Sequence, residues 1–467
     1  MKKIVIPAIL AFMIFSCDQA SENSRSGLVL TGIIENPKSK QVSLRLIDSL
    51  YKAGLDSANR FVLSLDLDTS VYATFQHGNE RTALYVKSGD SLELSIDTDE
   101  FDESLVYTGT GADYNNYLAE KYLLEESFQS PFTIIQDRSQ MAENVPEFRA
   151  RVDSVYSAKV DLLNSYATSL DSKFTKMEKD KAFYEMANQK QNLFRSLLYM
   201  EQDSVLDDDY FSYEDQIELD LDYMSGMYQY TNFLDTYIMF RLTELGHDFE
   251  WTSNILSDYL NATDSIIQSK PIKSVLFNQS FMILGRNTSY KKVDSLFQEY
   301  KGSVTAEVRD DLQKYLDQRA QIARGKDVPD FTFYTLDDDS VKLSDFQGRI
   351  VYLDFWATWC KPCIAEHPYM EKLIDEFEGE EVEFISLSTD ASPKPWKKMV
   401  NEKDLGGTHL WTEGGWRSDI MTHFVVKGIP RYVIIGKDGK IYTSYAERPS
   451  GDASAQIQKA LNLTESI

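Results

Sequence analysis

The chain is 467 residues long, which at ~100–200 residues per domain leaves room for two to four domains. Asp and Glu number 74 against 48 Lys and Arg, a formal net charge of -26; a chain this acidic lacks the basic face that phosphate binding requires, which argues against a nucleic-acid partner. Hydrophobic residues make up 42% and aromatics 12%, enough for packed cores, whereas three cysteines are too few for a disulfide scaffold.

In chain order, Met1–Lys3 is basic and Ile4–Phe15 is an apolar run. A run this short cannot cross a ~30 Å hydrocarbon layer, which takes ~20 helical residues. Residues 1–16 therefore read as a secretory signal peptide. The run stops at Cys17, and Ile14-Phe15-Ser16-Cys17 resembles a bacterial lipobox, whose cysteine becomes the lipid-bearing first residue; ordinary cleavage nearby, with Cys17 an incidental thiol, is the alternative. Residues 17–27 are polar and read as a flexible tether. No later segment is apolar enough to span a bilayer. The expected location is periplasm-facing, lipid-anchored to a bacterial membrane through Cys17.

Between residues 28 and 110 the apolar pattern has period two. Val42, Leu44 and Leu46 alternate with polar residues, as do Leu92, Leu94 and Ile96, and Asn36-Pro37 and Ser88-Gly89-Asp90 mark turns. Short strands with regular turns predict a small antiparallel β-sandwich-like domain. His77 stands alone there and is expected at the surface. From 111 to 324 the texture is helical, with few glycines and no cysteine. Val304, Val308, Leu312, Tyr315, Leu316 and Ala323 recur at helical spacing and predict one apolar face. The frequent Tyr and Phe of this block are expected to pack between helices, with a peptide or glycan groove as the alternative. From 325 to 467 strands and helices alternate. Arg349–Trp356 reads as a strand, Ile364–Phe377 as a helix and Val382–Ser388 as a buried strand. Lys437-Asp438-Gly439 is a hairpin signal, and Ala453–Leu461 reads as a last helix. The fold class is a multi-domain α+β chain: β-sandwich-like, then all-helical, then α/β.

Two of the three cysteines fall where that first strand gives way to its helix, in Trp359-Cys360-Lys361-Pro362-Cys363. Two cysteines three apart at a helix start can close a disulfide with little backbone movement. The helix N-terminus supplies free N–H groups and partial positive charge, which favour a thiolate, and Lys361 adds a cation beside it. A zinc site would want four ligands, and there is no second pair. A haem attachment would need histidine after the second cysteine, where Ile364 stands. A structural disulfide is possible, but the spacing favours exchange chemistry. His367, His409 and His423 lack metal-ligand spacing, so no metal is expected.

Asp354-Phe355-Trp356-Ala357-Thr358-Trp359-Cys360-Lys361-Pro362-Cys363 resembles a thioredoxin-fold active site. Together with Glu366 and Pro368 it is similar to the TlpA/ResA group of membrane-anchored, extracytoplasmic thiol–disulfide oxidoreductases. Gly428-Ile429-Pro430 matches that group's cis-proline loop. The resemblance implies that Cys360, exposed, attacks a substrate disulfide and that Cys363, one turn deeper, resolves the mixed disulfide. It implies a cis Pro430 with Ile429 docking the substrate backbone, Trp359 and Arg431 at the substrate side, and Lys361 and Pro362 tuning the thiol. Glu366 matches the group's acidic residue near the pair, on the inward stripe with Met370, Leu373, Ile374 and Phe377. Asp354 matches the buried acid of thioredoxin, although asparagine is frequent there in this group, and Arg431 stands where threonine is commoner. No cofactor is implied beyond the Cys360–Cys363 disulfide. The implied partners are disulfide-bearing exported proteins and a membrane thiol-transfer electron donor. A different class of function, a periplasmic binding or assembly lipoprotein whose helical block recognises a peptide or glycan, is the alternative.

Overall fold

A computed structural model describes residues 27–464, apart from 48, 135–140, 245–253 and 404. The signal segment and Cys17 lie outside the described residues. The chain forms two compact units, the first ending at Phe211 and the second starting at Ser212. The boundary falls inside the helical stretch, so three of its helices go with the N-terminal strands.

In the first unit, β1 (Gly27–Glu35), β2 (Gln41–Arg45), β3 (Leu50–Gly54), β4 (Arg60–Asp66), β5 (Val71–His77), β6 (Glu80–Val86), β7 (Ser91–Asp97) and β8 (Val106–Gly109) form two four-stranded sheets. Their orders are β4-β1-β7-β8 and β3-β2-β5-β6. Alternation places Phe61, Leu63 and Leu65 of β4, Leu92, Leu94 and Ile96 of β7, and Val42 and Leu44 of β2 in one shared core. The first sheet corrects the antiparallel expectation. β1 and β7 run parallel, from Val29 opposite Ser91 to Glu35 opposite Asp97. Period-two patterning reports which side chains face inward and is the same for either strand direction, so it could not reveal this. His77 is a second correction. It is 1% exposed, and its Nε2 accepts the N–H groups of Lys38 at 3.1 Å and Ser39 at 3.2 Å. Burial holds its pKa below the ordinary histidine value, so the neutral ring is a structural acceptor that pins the 36–40 turn.

Three helices follow, α1 (Ala112–Ser127), α2 (Val145–Ser165) and α3 (Ser172–Tyr199). Asp171 caps α3 by accepting the N–H of Phe174 at 2.8 Å. The aromatic residues here pack against one another: the Phe174 ring lies 4.7 Å from Tyr85, 5.0 Å from Tyr114 and 5.7 Å from Tyr117. One turn on, the buried carboxylate of Glu178 accepts from Lys121 and Lys181, each at 2.7 Å, and from the hydroxyls of Tyr117 and Tyr72. It ties α3 to α1 and, through Tyr72, to β5. Burial alone would raise the Glu178 pKa, but the two ammonium groups outweigh it and hold the carboxyl down at about 2.

The second unit opens with α4 (Tyr228–Glu244), α5 (Ile255–Ile266), α6 (Lys270–Ile283), α7 (Tyr290–Tyr300) and α8 (Ala306–Gln321). Leu312, Tyr315 and Leu316 form the buried stripe of α8, joined by Arg319. The Arg319 guanidinium donates to the carbonyls of Gly285 and of Thr288, the latter at 2.9 Å, and lies 5.1 Å from the Tyr445 ring. Next come β9 (Thr332–Tyr334), β10 (Ser340–Lys342), β11 (Ile350–Trp356), α9 (Lys361–Glu376), β12 (Val382–Ser388), α10 (Pro393–Lys403), β13 (Thr408–Trp411), α11 (Asp419–His423), β14 (Arg431–Ile435), β15 (Ile441–Thr443) and α12 (Ala453–Thr464). The seven strands order as β10-β9-β13-β12-β11-β14-β15. Central β11 is parallel to β12 and antiparallel to β14. Every residue of β11 is buried, because helices cover both faces of the sheet. Val351, Leu353 and Phe355 enter one core with α11, while Ile350 and Tyr352 enter another with α9 and α12.

Glu178→Ala strands two cations in the interior of the first unit, and breaking such a pair costs about 3–5 kcal/mol. Urea unfolding followed by circular dichroism should show that loss; a change under ~1 kcal/mol would mean the lysines reach solvent at surface-pair cost.

Candidate active site

β11 ends at Trp356, and three residues turn the chain into α9, whose N-cap is Cys360. Cys360 and Cys363 form a disulfide with their Cα atoms 5.3 Å apart, and the Cys363 N–H donates to Cys360 Sγ at 3.2 Å. Lys361 and Pro362, between them, are exposed; proline is tolerated here because the first-turn N–H groups lack helical partners anyway. The helix runs on through Pro368.

Cys360 is not the exposed sulfur that the resemblance implies. It is 4% exposed and Cys363 is 2% exposed. Both sit in a cluster with Trp356, Ala357, Trp396 and Val400, against which Ile429 also packs. Beside them Trp359 is 58% exposed, its ring 6.3 Å from Trp416. The spacing of the pair said nothing of α10, which brings Trp396 and Val400 to the cysteines.

The turn that leads into Cys360 is held by Asp390, at the end of neighbouring β12. Its carboxylate accepts from Thr358 N–H at 3.1 Å, Thr358 Oγ1 at 2.8 Å and Ser388 Oγ at 2.8 Å. The Asp390 carbonyl accepts from the Trp411 indole at 2.8 Å. Sequence reasoning missed Asp390. Its signal was a buried polar run, Ser388-Thr389-Asp390, closing a strand parallel to the active-site strand.

Beneath α9 the structure brings the two singled-out acids together. Glu366 is buried and accepts from Ser450 N–H at 3.0 Å and Ser450 Oγ at 2.9 Å. Asp354 lies on β11 opposite Tyr432 of β14, and its Oδ1 has no hydrogen-bond partner among the described residues. Burial first, and the Glu366 charge second, push the Asp354 pKa up to about 8. Tyr352 and Tyr432 stack at 5.5 Å on the same face, and burial raises both phenols far beyond their ordinary range. Ser450 was invisible to sequence reasoning, since only folding brings it to Glu366, 84 residues away.

Across the site the Ile429–Pro430 bond is cis, as the loop resemblance implies. Arg431 starts β14 with its guanidinium 3.1 Å from the Tyr445 ring. His367 meets the Trp356 ring edge-on at 5.0 Å, and burial pushes its pKa down to about 4, the behaviour of a packing residue. Among the described residues no group of three or more His, Cys, Asp or Glu is placed to hold a metal ion.

A sheet with a buried central strand, a helix opening on a Cys-X-X-Cys disulfide and a cis-proline loop beside it together define a thioredoxin-fold redox domain. Residues 323–461 match the Redoxin family. Over 129 residues the chain is 35% identical to the thiol-disulfide oxidoreductase ResA of Bacillus cereus, spanning 28% of this chain and 73% of that protein. Over 132 residues it is 37% identical to the thioredoxin-like protein YneN of Bacillus subtilis, spanning 28% and 75%. A solved thiol:disulfide interchange protein from a Bacteroides species matches 30% of this chain and 92% of its own, at 27% identity and a TM-score of 0.28. The chain belongs to the ResA-like family of thiol–disulfide oxidoreductases, through its C-terminal domain, and it is an enzyme of that class.

The raised Asp354 pKa has a signed consequence for stability. Between the ordinary carboxylate value near ~4 and about 8, the folded state holds a proton that the unfolded chain releases. Stability therefore falls as pH rises through that window and levels off above it. In the oxidised protein, Asp354→Asn should flatten this slope and raise stability at pH 8 by a few kcal/mol, on the order of 1.4 kcal/mol per pH unit removed. Urea midpoints at acid, neutral and mildly alkaline pH check it; an unchanged slope in the variant overturns the assignment.

Proposed function

We infer that the protein reduces or exchanges disulfides of exported proteins through Cys360 and Cys363, held by a lipid on Cys17 at the periplasmic side of a bacterial membrane. The observation that carries this reading is the closed Cys360–Cys363 disulfide at the tip of α9, with the Cys363 N–H donated to Cys360 Sγ. In the reduced protein the same N–H and the unpaired first-turn amides favour a thiolate at Cys360.

That thiolate attacks one sulfur of the substrate disulfide. An S–S bond forms to Cys360, and the other substrate sulfur leaves and takes up a proton. Cys363 then gives up its proton and attacks Cys360 Sγ; the protein disulfide closes and the second substrate sulfur leaves. Two electrons pass to the substrate, whose disulfide becomes two thiols. Asp354 and Glu366 are the acceptor and relay for the Cys363 proton, a role supported by a pKa of about 8 at Asp354, close to that of a free thiol. Ile429 and Pro430 dock the substrate backbone, and Trp359 and Arg431 contact its side chains. Lys361 and Pro362 tune the first thiol. No cofactor enters besides the disulfide itself. Return to the dithiol takes two electrons from a thiol donor, for which a membrane thiol-transfer protein is the partner.

In exported extracts, Cys363→Ser is expected to accumulate mixed disulfides at Cys360, visible as adducts that reductant releases, and Cys360→Ser to accumulate none. Insulin reduction should drop to background in both variants. Turnover that survives both substitutions, or a reduced protein in which iodoacetamide reaches neither thiol, overturns the reading.

A further inference from the structure

The second unit holds a cleft of about 1030 Å3, at the upper end of what small-molecule sites occupy. One wall is helical, from the end of α6 and from Asp311, Lys314 and Tyr315 of α8; the other is the Val425–Arg431 segment and the residues after β15. Its position follows from the alternation of one loop. Ile429 packs on the cluster that contains both cysteines, whereas its neighbours Gly428 and Pro430 line the cleft. The loop thus borders the cysteine cluster with one side chain and the cleft with the next, so a polypeptide joined to Cys360 and pairing with its main chain would turn alternate side chains toward the cleft.

Two features say what would lie there. Lys427, Gly428 and Ile429 make no main-chain hydrogen bond among the described residues, so their amides and carbonyls are open to an extended chain, the pattern of strand-like peptide recognition. The charge is the second feature. Lys314 is paired with Asp311 at 3.0 Å. That leaves the exposed Lys427 and Arg448 against the single carboxylate of Glu447 on the lining, a local excess of positive charge on a chain of net charge -26. The Arg431 guanidinium packs on the Tyr445 ring, which also meets Arg319 of α8.

We propose that this cleft is the substrate-binding groove beyond the disulfide, and that it selects extended polypeptide segments carrying Asp or Glu close to the cysteine under attack. The proposal rests on Cys360 as the attacking sulfur and adds to it the class of substrate: acidic segments, drawn by Lys427 and Arg448 on the lining of an otherwise acidic chain. In the reaction the substrate disulfide becomes two thiols while the Cys360 and Cys363 thiols become the protein disulfide, with no further reagent.

The test uses the full chain, reduced beforehand, and two short peptides that differ only in having Glu or Lys on both sides of one internal disulfide. Second-order rates of protein oxidation should favour the Glu peptide by about tenfold at low salt, and the preference should shrink as salt screens it. In Lys427→Glu with Arg448→Glu the ratio should fall to near one or invert; a ratio taken on one preparation does not depend on how much of it is folded. Equal rates for the two peptides in the unmodified protein overturn the proposal, and so does a preference that the double variant retains. Hydroxyethyl disulfide, small and uncharged, separates the two levels. If it oxidises the protein while neither peptide does, the groove assignment fails and the role of Cys360 stands; if it also fails to react, the reading of Cys360 itself falls.

Discussion

Strand β11 is buried along its whole length and stops where α9 begins, and every feature of the site is referred to that junction. A helix start leaves its first amides without partners, and here one of them is already spent on Cys360 Sγ. The turn between strand and helix is not left to the chain's own stiffness. Asp390 grips Thr358 twice from beside the neighbouring strand, so the turn into Cys360 is held from two strands rather than by one loop.

Beneath the helix the same packing creates the opposite condition. Asp354 is buried without a hydrogen bond to one of its oxygens, next to a second acid whose own oxygens are occupied by Ser450. Burial, with the neighbouring acid second, raises the Asp354 pKa to about 8. His367, close by but edge-on to Trp356, takes no part because burial keeps it neutral.

The N-terminal unit is built on a different balance. Its helices are joined to its second sheet by a buried carboxylate with two ammonium partners and two phenols, surrounded by aromatic rings. Such an arrangement adds little net stability over an apolar core but penalises every alternative packing that would leave a charge alone. Tyrosines that could have lined a recognition groove are there taken up as core and as hydrogen-bond donors.

Much of the C-terminal domain was legible because its signals are local. Val382–Ser388 is a strand as expected; the helix expected from Ile364 starts at Lys361, earlier because the N-cap is the cysteine itself. The sequence by itself determined the chemistry, since two cysteines three apart at a helix start, with Ile429-Pro430 far along the chain, leave few other uses. Tertiary structure alone decided the burial of Cys360 under α10, the pairing of Glu366 with Ser450, the Asp390 grip, the parallel β1–β7 pair and the cleft beside Gly428. Each of these depends on residues tens of positions apart meeting in space, and hydrophobic periodicity records only which way a side chain faces, never what it will face.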